Sequence, residues 1–198
     1  TEDFHIMAAM EPSNEEYLRE SIFSLAKHRI IWLLVLMISA TATGIIIRRY
    51  ESVLQSVVTL AIFIPMLMDT GGNAGSQSAT LIIRGLALGE IKLSDIGKIV
   101  WKEFRVSILV GVALALVNFL RIYYIDQVGL TISTVVCFSL LITVIIAKVV
   151  GGSLPIVAKA LRLDPAIMAS PLITTIVDAC ALAIYFQLSS HFLHLVSS

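Results

Sequence analysis

Charge is scarce in this sequence. Of 198 residues only 14% are Asp, Glu, Lys or Arg, where a soluble domain has about a quarter. The shortage excludes a solvated surface of ordinary extent, and a formal net charge of zero gives no basic face for nucleic acid. Cysteine is scarce too. Cys137 and Cys180 are the two, both in apolar stretches, so they read as small buried hydrophobes and exclude a disulfide framework. The roughly 10-residue alternating segments of a membrane β-barrel are missing. So are a P-loop, a dinucleotide fingerprint and a zinc-spaced Cys pair, and no Ser/His/Asp set falls in one plausible site, so no enzyme is expected. The first 29 residues carry six acids and no apolar run, which argues against a cleavable signal peptide. His5 and His28 stand alone. His191 and His194 lie three apart near the C-terminal end, a weak metal-ligand pair.

What is present is hydrophobic residues, 58% of the total, gathered into blocks with the charges in the gaps. About 20 apolar residues at helical rise cover the roughly 30 Å hydrocarbon layer. The blocks run from about Ile30 to Ile47, Val53 to Met68, Val106 to Ile122, Leu130 to Val150 and Ala166 to Leu188. The second continues into the small polar stretch Asp69-Thr70-Gly71-Gly72-Asn73-Ala74-Gly75-Ser76-Gln77-Ser78. The pattern predicts an all-α membrane protein with five transmembrane helices in one domain over residues 29–198. Residues 1–28 are expected to form a cytoplasmic N-terminal segment with an amphipathic helix.

With the N-terminus cytoplasmic, eleven basic residues fall inside, and Arg48, Arg49 and Arg121 fall outside, together the 14 of the chain. The positive-inside rule therefore favours a cytoplasmic N-terminus and an outer C-terminus, in a multi-pass protein of the cell (inner) membrane. Before the first span, Ser13-Asn14-Glu15-Glu16 has the form of a capping box. Tyr17, Leu18, Ile22, Leu25 and Ala26 then recur at helical spacing, which predicts a short amphipathic helix on the cytoplasmic surface, either a gate element or an interfacial anchor. The segment 85–103 reads as a second surface-lying amphipathic stretch.

Two acids fall within segments expected in the bilayer. Asp178 sits mid-block, and an acid at a helix centre costs about 2.5–3.5 kcal/mol on insertion scales. It must face a polar cavity, a partner or an ion. Lys148 is the one basic residue that stands as a candidate partner. Thr174 and Thr175 lie one turn earlier and Pro171 two turns earlier, where its missing N–H would free the carbonyl of Ile167. Asp164 and Pro165 suit the start of that helix. These are hard oxygen donors of the kind that bind Mg²⁺, Ca²⁺ or Mn²⁺. The alternative is a structural Asp bonded to a neighbouring helix. In the second stretch Asp69, Asn73, Ser76, Gln77 and Thr80 recur at three- or four-residue steps. Gly71-x-x-x-Gly75 supplies a small-residue face for close helix packing. Pro65 would free the carbonyl of Ala61. The glycines alone could mean only a helix contact, but Asp, Asn and Gln within ten residues exceed what packing needs.

The run from Pro65 to Arg84, with Gly72-Asn73-x-Gly75-x-Gln77, resembles the signature of the MgtE family of magnesium transporters and channels. Pro171-x-x-Thr174-x-x-x-Asp178, after Asp164-Pro165-Ala166, resembles the family's last pore helix. The likeness covers the chain from about residue 20 onward. It implies a pore-forming homodimer in membrane lipid, lined by the second and fifth helices. Asp178 would be the pore acid contributed by each subunit, Asn73 a polar pore position, and Thr174 a position facing the hydrated ion. Asp69 departs from the family pattern, and would add a second cation site or shift ion preference. The metal-site residues expected are thus Asp178, Asn73, Asp69 and Thr174. The family's cytosolic N domain and CBS pair have no counterpart in these residues, as in an excised membrane domain or a short member.

The expected activity is conduction of hydrated Mg²⁺ down its electrochemical gradient, with Mn²⁺, Co²⁺ or Ca²⁺ as other cations the donors would admit. A secondary transporter coupling the cation to Na⁺ or H⁺ is the alternative, since a buried Asp serves proton coupling equally well. A non-transporting membrane scaffold is a third class.

Overall fold

The structure is a computed structural model that describes residues 21–168 and 170–193, apart from the side chains of Leu25, His28, Ile167, Met168 and Ser170. Most of the expected amphipathic helix, its capping box, His5 and His194 lie outside these residues.

Every regular element among them is helical. Helix α1 spans Ile22–Arg49, and Ser21 starts it by accepting the Ser24 N–H on its hydroxyl at 3.2 Å. Ile22 to Ala26 are therefore the first turns of this long helix, not the tail of a separate surface helix. Arg48 and Arg49 in its last turn complement the helix dipole. Helix α2 (Glu51–Ser56) is short. Val57, at φ −137° and ψ 81°, leaves the helical region, and a 3₁₀ segment follows over Val58–Phe63. Helix α3 then runs Ile64–Ala87. The continuous second apolar helix expected from Val53 is thus broken into three pieces.

Pro65 sits in the first turn of α3, where its missing N–H removes no helical bond. The Ala61 carbonyl it was expected to free instead accepts the Ile64 N–H. The segment 85–103 is not one surface-lying stretch. Its end forms a 3₁₀ turn over Leu93–Asp95 and the start of α4 (Ile96–Leu120), which passes into a π-helical turn over Arg121–Asp126. The charged residues from Lys98 to Arg105 interrupt the hydropathy there without interrupting the helix. Helix α5 follows Gly129, whose φ of 86° favours glycine, and spans Leu130–Ala160, a decade beyond the apolar block. A 3₁₀ turn over Pro165–Met168 leads to α6, Ser170–Phe192. Asp164 caps that turn, accepting the Ala166 N–H at 2.8 Å.

Among the described residues four helical stretches are long and apolar enough to cross a membrane: Ile22–Arg49, Leu93–Asp126, Leu130–Ala160 and Pro171–Phe192. Helix α3 is not among them, because its polar stripe dilutes its hydropathy. Yet α3 occupies the middle of the fold, packed along α5 and α6, while α4 lies on α5 and α1 reaches α6. The core is built from Leu67, Ala74 and Ala79 of α3, Val136, Leu140, Val144 and Ala147 of α5, and Ile173, Val177 and Leu182 of α6. Most of α1 presents large apolar side chains outward, from Ile30 to Ile38.

Broken backbone is tolerated at membrane depth only where its polar groups find partners. The fully buried Tyr185 of α6 provides one, donating its hydroxyl to the Leu60 carbonyl of the 3₁₀ segment at 2.9 Å. Tyr50 and Phe186 stack beside it with centroids 5.3 Å apart. Tyr185→Phe keeps the ring and orphans that carbonyl. We expect a loss of about 1 kcal/mol, read as a fall of about 2–4 °C in the melting temperature in detergent. An unchanged melting temperature would show that the bond does not hold the break in place.

Candidate functional site

Helix α3 has two unlike faces. Gly71, Gly72, Ala74, Gly75, Ser78 and Ala79 are buried, whereas Asp69, Asn73, Gln77, Thr80 and Arg84 are exposed. The second set follows three- and four-residue steps, so it forms one stripe along the helix. An uncovered polar stripe on the central helix of an apolar bundle cannot face hydrocarbon at acceptable cost. It calls for water, an ion or another polar surface.

The buried face explains the glycines. A Cβ on Gly72 would lie 2.8 Å from Thr174 Cγ2, and one on Gly75 would lie 2.8 Å from Ile173 Cγ2 and 3.2 Å from the Ala147 carbonyl oxygen. A Cβ on Gly151 of α5 would overlap the Gly75 carbonyl outright. The close-packing role expected for Gly71-x-x-x-Gly75 is therefore real, and it coexists with the polar stripe on the opposite side.

Close packing brings the candidate residues together. Gly72 rests on Thr174, one turn before Asp178 on α6. Asp178 is half-buried, Asp69 is exposed, and the two carboxylates are near enough for their charges to interact. Asn73 follows Asp69 by one turn of the stripe. Thr174 and Thr175 both donate their hydroxyls to the Pro171 carbonyl, at 2.9 and 3.0 Å. Their protons are committed, which leaves oxygen lone pairs for a cation or for the hydrogens of its water shell. Pro171 is the second residue of α6, so it removes no interior helical bond.

Lys148 is buried on α5, but no ion pair joins it to Asp178 among the described residues. No group of three or more His, Cys, Asp or Glu side chains gathers among those residues. One copy of the chain thus offers two acids here, too few to replace the water shell of a divalent cation and suited to holding that shell. His191 stacks edge-on against Phe192 near the end of α6. Cys137 and Cys180 are free thiols.

One polar contact has no precedent in the sequence pattern. Ser78, 1% exposed on the packed face of α3, donates its hydroxyl to Glu103 Oε2 of α4 at 2.6 Å. The two residues are 25 apart, beyond any helical spacing rule, and the Glu103 side chain is half-buried.

Comparison with known proteins gives a consistent likeness. Residues 64–188 match the MgtE family, described as a divalent cation transporter. A protein of Thermus thermophilus named magnesium transporter MgtE is 36% identical over 189 residues, 96% of this chain and 42% of its own length. The protein of the same name from Bacillus subtilis is 38% identical over 85% of this chain and 37% of its own length. That from Enterococcus faecalis is 30% identical over 90% of this chain and 39% of its own length. The chain spans less than half the length of these curated relatives.

Proposed function

The chain belongs to the MgtE family and is a multi-pass membrane protein, and from that premise we propose that two copies of it form a pore that conducts hydrated Mg²⁺ down its electrochemical gradient. The observation that carries this reading is the exposed Asp69–Asn73–Gln77–Thr80 stripe of α3 beside half-buried Asp178. A second copy placed against that stripe would enclose it and pair the Asp178 carboxylates across the path.

In this arrangement α3 is the second of five spans, entered through the α2 and 3₁₀ break, with the N-terminus cytoplasmic and the C-terminus outside the inner membrane. Mg²⁺ sheds water reluctantly, so the carboxylates, the Asn73 amide and the Thr174 oxygen act through the ion's water shell. Binding is strong enough to admit the ion and weak enough to release it. An inside-negative potential of 100 mV contributes about 4.6 kcal/mol for two charges.

The test is Mg²⁺ uptake into liposomes carrying the protein. We expect uptake to follow the Mg²⁺ gradient and the potential, with no requirement for Na⁺ or a pH difference. Uptake that needs either gradient identifies a coupled transporter, and no uptake above empty liposomes contradicts the reading. Asp69 extends the acidic part of the stripe. We expect Asp69→Asn to lower Mg²⁺ uptake about two- to fivefold and to flatten its preference for divalent over monovalent cations, as measured by competing ions in the same assay.

A further inference from the structure

Helix α3 can line a pore only if its stripe points in one direction, and the glycine face alone does not fix that direction. Small residues permit close approach, and polar side chains that bond across helices add a directional constraint. Helix α4 packs along α5 rather than along α3, yet Glu103 reaches across. Its Cγ would lie 2.9 Å from a Cβ on Gly152 of α5, so a larger residue at 152 would displace the side chain. Beyond Gly152 the carboxylate receives the Ser78 hydroxyl at 2.6 Å, the short length of a charge-assisted bond. The same hydroxyl lies 3.4 Å from the Ala74 carbonyl of its own helix, a much weaker alternative. No Lys or Arg forms an ion pair with Glu103 among the described residues. Ser78 is the residue after Gln77 of the exposed stripe and two before Thr80.

We infer that Glu103 is a positioning residue that locks the rotation of α3 through Ser78, with Gly152 as the gap that lets it pass, and so sets which side chains face the conduction path. Among the described residues no hydrogen bond or ion pair joins it to the stripe or to Asp178. Its effect reaches the ion through the orientation of Gln77 and Thr80. This inference rests on the pore reading for its functional consequence, but its structural content does not.

The test uses a chain with Cys137 and Cys180 replaced by Ala and Thr80→Cys as reporter, in liposomes, read by labelling rate with a hydrophilic thiol reagent and by Mg²⁺ uptake. Glu103→Ala and Ser78→Ala are each expected to slow labelling at least fivefold and to lower uptake by a similar factor. The double variant should be no worse than either single one, because both remove the same bond. Glu103→Gln, whose amide oxygen still accepts the Ser78 hydroxyl, should keep labelling and uptake within twofold of the parent and shows whether the Ala variants fail for want of folding. Labelling at the parental rate in Glu103→Ala overturns the inference, as does Glu103→Gln behaving like Glu103→Ala. If the parent takes up no Mg²⁺ while labelling still responds to Glu103, the pore reading fails and the positioning role stands.

Discussion

Asp178→Ala is expected to cut Mg²⁺ uptake by at least tenfold, a loss of about 1.4 kcal/mol or more in stabilisation of the ion in the path. In the proposed dimer the substitution would remove two negative charges from the ion path. Asp178→Asn keeps the size and hydrogen-bonding capacity and removes only charge, so it should fall nearly as far. Asp178→Glu keeps the charge at a changed distance and should retain part of the flux. Stability should move the other way. An intramembrane acid costs about 2.5–3.5 kcal/mol to insert, and Asp178 has no described basic partner. Its replacement by Ala should leave the melting temperature unchanged or raise it. Lost flux with kept or improved stability marks a residue retained for function. Lost stability would instead mark a structural acid, and unchanged flux would fit a scaffold.

The second large effect is steric. Gly151 of α5 lies against the backbone of Gly75, and a methyl group there would overlap the Gly75 carbonyl oxygen. A flexible side chain can swing aside, but a helix backbone moves only as a unit. Overpacking of buried contacts costs about 1–3 kcal/mol, and a clash with backbone belongs at the upper end. We expect Gly151→Ala to lower the melting temperature in detergent by about 6–12 °C, taking about 2–4 °C per kcal/mol for a chain of this size. Gly44→Ala provides the control: nothing lies within 4 Å of a Cβ there, and Ala is the better helix former. Its melting temperature should be unchanged or slightly higher. Equal melting temperatures for the two variants would contradict the packing of α3 on α5.

Much of this was legible because two periodicities are written plainly into the residues. Long apolar blocks announce helices of membrane length, and the steps from Asp69 through Asn73 and Gln77 announce a polar face. What sequence reasoning missed has physical causes. The break at Val57 interrupts the backbone but not the hydrophobicity, since Val58–Phe63 is as apolar as a spanning helix. The start of α4 was hidden in the opposite way, by charges from Lys98 to Arg105 that leave the helix intact. Both prolines singled out as openers of carbonyls, Pro65 and Pro171, sit in first turns, where proline fits without disruption. The Glu103–Ser78 bond joins residues on different helices, and no local spacing encodes it. The nearness of Asp69 to Asp178 likewise depends on how tightly Gly72 lets α3 approach Thr174.

The central claim is that the exposed stripe of α3 lines a water-filled path for Mg²⁺. Its most direct test is a cysteine scan from residue 69 to residue 80 in membranes, on a chain with Cys137 and Cys180 replaced by Ala, read by reaction with a hydrophilic thiol reagent with and without Mg²⁺. The account predicts fast reaction at 69, 73, 77 and 80, slowed by Mg²⁺ at 69 and 73, and little reaction at 74, 75, 78 and 79. Uniform protection along the stripe, or labelling there only by a lipid-soluble reagent, would contradict it.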